Sequence, residues 1–159
     1  MRAMLDVSVL IALLDAENVH HAKVTSWFAD NAPQHGWASC PLTQNGCIRI
    51  LSQPAYLNST PAAMVADILG EAVASPLHVF WPDSLSLLSP GALHWDQLLS
   101  GRHLTDVYLL ALAVRNGGRL VTLDQGVPLS AVPDARPEHL MILSNKLHRT
   151  QDPTQRHHP

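Results

Sequence analysis

The sequence predicts an α/β domain whose central, mostly parallel five-stranded sheet lies between layers of helices. Short apolar runs alternate with segments of helical spacing, which is the pattern of right-handed βαβ crossovers. Two of those runs end in aspartate, at Asp6 and Asp124, where a parallel sheet opens its ligand crevice. The 159 residues, 47% hydrophobic and 14% charged, suffice for one core without disulfide or metal staples.

Met4 and Leu5 read as the first strand, buried and closed by the carboxylate of Asp6. Ser8 is placed to cap a helix through Leu14, which the polar residues 15–18 end. A second helix over His20 to Asp30 carries Val24, Trp27 and Phe28 on one apolar face, which suits core and dimer surface. Residues 36–40 form a second strand, and Pro41 opens a helix carrying Leu42, Asn45, Ile48, Arg49 and Leu51. Residues 58–75 read as an amphipathic helix entered through Asn58 and Pro61. A third strand covers 78–81, and serines, Pro90 and Gly91 break the period between 84 and 101 into short pieces. The clearest helix runs from Leu104 to Asn116. Gly117 and Gly118 stop it before a strand over 119–123, and a fifth strand covers 140–143. The domain therefore spans 1–145, followed by a polar, flexible tail over 146–159.

Ten Lys and Arg against thirteen Asp and Glu give a net charge of -3, so no global basic field announces a nucleic-acid partner. Two cysteines, Cys40 and Cys47, make neither a disulfide framework nor a zinc site and suit a reducing cytosol. The apolar run Val7 to Leu14 lies between Asp6 and Asp15, short of the roughly 20 residues that span a membrane.

A third aspartate, Asp106, opens the helix that feeds the Asp124 strand, and βαβ geometry can bring it to the same sheet edge. Taken singly, Asp106 also reads as a helix N-terminal acid and Asp124 as part of a turn. Together with Asp6 they make three carboxylates whose mutual repulsion a cation relieves, and hard oxygen ligands suit Mg2+ or Mn2+.

The segments MLDVSVLIALLD, CPLTQNGCIRIL and LTDVYLLALAVRNGGRLVTLD, in this order, resemble the PIN-domain ribonucleases, and closely the VapC toxins of bacterial type II toxin-antitoxin systems. The likeness runs from Met4 to Asn145. It implies a Rossmann-like α/β/α PIN fold and a cytoplasmic, Mg2+- or Mn2+-dependent endoribonuclease cutting structured RNA such as tRNA or rRNA. It also implies a homodimer neutralised by a cognate VapB-type antitoxin in a hetero-oligomer. By position, Asp6, Asp106 and Asp124 match the family's metal-binding acids, while Ser8 and Thr105 match polar positions that support them.

The chain departs from the family pattern at Gln44, where a glutamate is usual, so the resemblance makes Gln44 the impaired fourth member of a catalytic set with Asp6, Asp106 and Asp124. An amide there removes a charge and adds donors that cannot ligate a cation. Three readings stand: a deliberately inactivated toxin, a natural weak or inactive variant, or a site running on three aspartates. The first is preferred, because an active toxin is hard to produce without its antitoxin. Arg49 and Arg102, near Gln44 and Asp106 in sequence, are the candidate phosphate contacts, and both also read as solvated surface arginines. His103 lies near Asp106, where a catalytic role is one reading, and it reads equally as a loop residue.

Other classes fit less well. No glycine-rich turn follows the first strand, as dinucleotide binding requires, and no G-x-S-x-G motif is present. Ser8 stands where haloacid-dehalogenase phosphatases carry a second aspartate, and Lys146 comes too late for a receiver domain. The alternative function is a non-catalytic PIN-like module that binds RNA or its antitoxin without cutting.

Overall fold

A computed structural model describes residues 1–143; the tail expected from residue 146 lies outside the described residues. Five short strands, β1 (Ala3–Leu5), β2 (Trp37–Ser39), β3 (His78–Phe80), β4 (Arg119–Thr122) and β5 (Leu140–Ile142), form one sheet in the order β3-β2-β1-β4-β5. Every pairing is parallel, so the sheet is wholly rather than mostly parallel. The order reverses at β1, which places the topological switch beside Asp6.

Helices α1 (Val7–Leu14), α2 (His21–His35), α3 (Pro41–Leu51) and α4 (Ala62–Val73) are packed on one face of the sheet, around Leu5, Val9, Val24, Cys47, Val65 and Val121. The opposite face is covered by α5 (Leu104–Arg115) and the irregular segments before and after it, around Met4, Ala38, Leu109, Leu112 and Leu120. Alternate residues of β1 and β4 thus enter opposite cores, as strands covered on both faces require. Helix α5 buries Val107 through Ala113 without a break, which accounts for its strongly apolar sequence. Burying each large side chain there contributes roughly 2 kcal/mol.

Three elements differ from the sequence expectation by two residues or more at an end. Asp6, not Ser8, caps α1: its backbone is extended and its carboxylate accepts from the Val7 amide. The second helix runs on to His35 with Pro33 inside its last turn, and Gly36 at φ 69° then ends it. The fourth helix begins only at Ala62. Asn58 does not cap it, because its amide donates to the Asp15 carboxylate, which also accepts from the Tyr56 hydroxyl. At α3 the expectation holds: Pro41 occupies the first turn, and the buried Thr43 hydroxyl accepts from the Cys40 amide at 3.0 Å.

Candidate functional site

Asp6 leaves β1 directly into the first turn of α1 and is 6% exposed. Its carboxylate is held by three donors. Val7 N donates to Oδ1 at 2.6 Å, while Ser8 Oγ and Thr122 Oγ1 donate to Oδ2 at 2.9 and 2.7 Å. Leu5 pairs with Val121, so Asp6 and Thr122 stand abreast at the sheet edge. Thr122 Oγ1 in turn accepts from the Asp124 amide at 3.0 Å, and Asp124 Oδ1 accepts from Gly126 N at 2.7 Å. One threonine hydroxyl therefore ties the first acid to the loop bearing the last.

Asp106 enters from the first turn of α5. Its carboxyl is pushed up to about 7, first by burial and then by the charges of Asp6 and Asp124. Three aspartates far apart in sequence therefore share one electrostatic environment, and their repulsion is the condition a divalent cation removes. The donors are hard carboxylate oxygens, which fit Mg2+ or Mn2+. Asp106 and Asp124 also share a cluster with His103, whose ligand atom and theirs lie within 4.8 Å of one another. His103 is buried, with Nδ1 3.9 Å from Asp106 Oδ2. The signal for it was the three-residue spacing that puts both side chains on one helical face.

Two clefts adjoin these residues. One of about 230 Å³ is lined by Asp6, Asn45, Gly46, Arg49 and Thr105 among others. The second, about 330 Å³, is lined by Ser100, Arg102, His103 and Gly126 among others. Each expected arginine is exposed and lines one of them. Thr105 is exposed on the cleft beside Asp6, and Ser8 bonds Asp6 directly.

Gln44 has other partners. Its Nε2 donates to Ser39 Oγ at 2.9 Å, and that oxygen lies 2.8 Å from His78 Nε2. The residues of α3 that line the Asp6 cleft are Leu42, Asn45, Gly46, Arg49 and Ile50. Gly46 is pressed against α1, where a Cβ would lie 2.7 Å from a Val7 methyl. Thr122 is the supporting residue that sequence reasoning missed; its signal is a hydroxyl abreast of Asp6, two positions before Asp124. Both cysteines are free and buried, and burial pushes the Cys47 thiol up to about 12, so it is no nucleophile at neutral pH.

No family model matches the chain. It is 44% identical over 143 residues to Ribonuclease VapC44 of Mycobacterium tuberculosis, covering 90% of this chain and 100% of that protein. It is 41% identical over 133 residues to Ribonuclease VapC39 of the same organism, covering 82% and 94%. Among solved structures it resembles the M. tuberculosis VapC20, a Sarcin-Ricin loop cleaving toxin, with a TM-score of 0.57 at 15% identity over 85% of this chain and 99% of that one.

Proposed function

The chain belongs to the VapC family of ribonucleases and is an endoribonuclease of PIN fold; from that premise we propose that it is a Mg2+- or Mn2+-dependent toxin acting on structured RNA. Burial of Asp106 beside the charges of Asp6 and Asp124, which together raise its carboxyl to about 7, carries this reading. These three residues would hold the cation. Bound there, Mg2+ or Mn2+ supplies the Lewis acidity that activates water and stabilises charge at a scissile phosphate.

The protein's own part is orientation. Three donors fix both oxygens of Asp6, and Thr122 sets the loop of Asp124 relative to it. Arg49 and Arg102 meet phosphates from the two clefts, which lets RNA approach although the net charge is -3. The substrate is tRNA or an rRNA loop; the structural relative named for cleaving the sarcin-ricin loop supports the second.

Gln44 is not a ligand in this reading. Its commitment to Ser39 supports a site that works on three aspartates. The protein acts in the bacterial cytoplasm as a homodimer, with a VapB-type antitoxin neutralising it in a hetero-oligomer; no helix among the described residues is long and apolar enough to cross a membrane. The PIN domain is taken to extend through residue 145, with the polar tail following.

The deciding experiment incubates the purified chain with tRNA and with rRNA fragments in Mg2+, Mn2+ or EDTA, beside Asp6→Asn. Cleavage that needs the metal and is lost in Asp6→Asn supports the reading. Binding of RNA without any cleavage in either metal would favour the non-catalytic module instead.

A further inference from the structure

The imidazole of His103 is 8% exposed and has one satisfied nitrogen. Arg102 Nε donates to Nε2 at 2.9 Å. A guanidinium N–H is only a donor, so Nε2 must accept, and the neutral ring carries its proton on Nδ1. That second nitrogen is fully enclosed and has no hydrogen-bond partner. The nearest carboxylate oxygen, Oδ2 of Asp106, is 3.9 Å away, beyond hydrogen-bond length.

The distances among His103, Asp106 and Asp124 would suit three ligands of one cation. The tautomer speaks against His103 as the third, because a protonated nitrogen has no lone pair to give. What His103 presents to the acid cluster is a neutral N–H donor without an acceptor, and burying such a donor is costly unless something else satisfies it. The ring's seat is specific. A Cβ on Gly126 would lie 2.6 Å from Cε1 of His103 and 3.3 Å from Oδ1 of Asp124, so only glycine leaves room for the ring beside that acid.

We propose that His103 Nδ1–H donates to a non-bridging phosphate oxygen of RNA bound at the aspartate cluster, with Arg102 as the positioning residue that fixes its tautomer. This rests on the ribonuclease reading above. The ring borders both the aspartate cluster and the cleft of Arg102. A neutral donor contacts the phosphate without setting a positive charge against the cation, as a lysine at this place would.

The test compares His103→Asn, His103→Leu, His103→Asp and Arg102→Met with the unaltered chain. Three quantities are read: affinity for a labelled RNA hairpin with Ca2+, affinity for Mn2+ alone, and the imidazole 1H–15N spectrum. Asparagine places an amide N–H near the Nδ1 position, so it should keep hairpin affinity within about threefold, whereas leucine should lose about tenfold, the value of one good hydrogen bond. Mn2+ affinity should be the same in the Asn and Leu variants as in the unaltered chain. The spectrum should show His103 protonated on Nδ1, and the Nε2–H form should gain in Arg102→Met. Thermal melts of the Asn and Leu variants separate misfolding from loss of the donor. Three results would overturn the proposal: a Leu variant that binds Mn2+ more weakly, an Asp variant that binds RNA as well as the unaltered chain, or an Nε2–H tautomer in the native protein. Failure of the unaltered chain both to bind and to cut RNA would sink the ribonuclease reading and the proposal with it; equal hairpin affinity in Leu and native protein sinks the proposal alone.

Discussion

Thr122 Oγ1 and Asp6 Oδ2 meet at 2.7 Å across 116 positions of sequence, and the same hydroxyl accepts the Asp124 amide at 3.0 Å. Thr122→Val keeps the shape and removes both bonds. The buried Asp6 carboxylate loses a donor and the Asp124 amide loses its acceptor, a cost of about 1–3 kcal/mol in stability. Mn2+ affinity and cleavage should fall about 10–100-fold, as for other groups that orient ligands. Calorimetric Mn2+ titration beside a denaturant melt checks both; unchanged metal affinity would show that Asp6 needs only its two local donors.

Asp106, ordinarily near 3.8, is pushed up to about 7. Its folded value lies above its unfolded value, so the metal-free fold holds the extra proton between them and loses stability as pH rises through that window. A cation must displace the same proton. Mn2+ affinity should therefore fall about tenfold per pH unit below 7, with about one proton released on binding. Titrations in buffers of different ionisation enthalpy measure that proton. In Asp106→Asn both dependences should disappear.

For Gln44→Glu the expected change in RNA cleavage is small, within about threefold in kcat. The new carboxylate accepts from Ser39 Oγ, which also lies against His78, rather than joining the aspartates. A gain of a hundredfold or more would mean that position 44 reaches the cation after all.

Gly126→Ala would place a Cβ 2.6 Å from the His103 ring. The ring must move, and with it the Arg102 contact. Cleavage should drop at least about tenfold while the melting temperature falls by only a few degrees, since residue 126 is exposed. A variant of native activity would show that the ring's seat is dispensable.

Arg49→Ala should raise KM for RNA with little change in kcat, and lower the salt dependence of binding by roughly one phosphate contact. Its guanidinium lines the cleft beside Asp6. Binding isotherms at several salt concentrations measure that slope.

The sheet and the three aspartates were legible because each rests on a local pattern. An apolar run ending in a charge marks β1 and Asp6, another leads through β4 to Asp124, and an unbroken apolar helix after Asp106 marks α5. Three features depend on how neighbouring elements pack, and sequence spacing alone does not assign them. Thr122 matters because β4 lies beside β1, Gln44 turns to Ser39 because β2 ends there, and His103 is enclosed because Gly126 lies against it. The caps failed in the same way: Asp6 and Ser8 could both start α1, and the sheet edge decided between them. Asn58 was drawn to Asp15, a partner on another element.

The link between Thr122 and Asp6 also sets an order in time. A chain growing from its N-terminus makes Asp6 long before Thr122, and until then that acid has neither its third donor nor its strand partner β4. A ribosome-bound or prematurely terminated chain ending before β4 therefore carries no assembled acid site. The pocket proposed to hold the cation is complete only once β4 and the loop of Asp124 have been made and have docked beside β1.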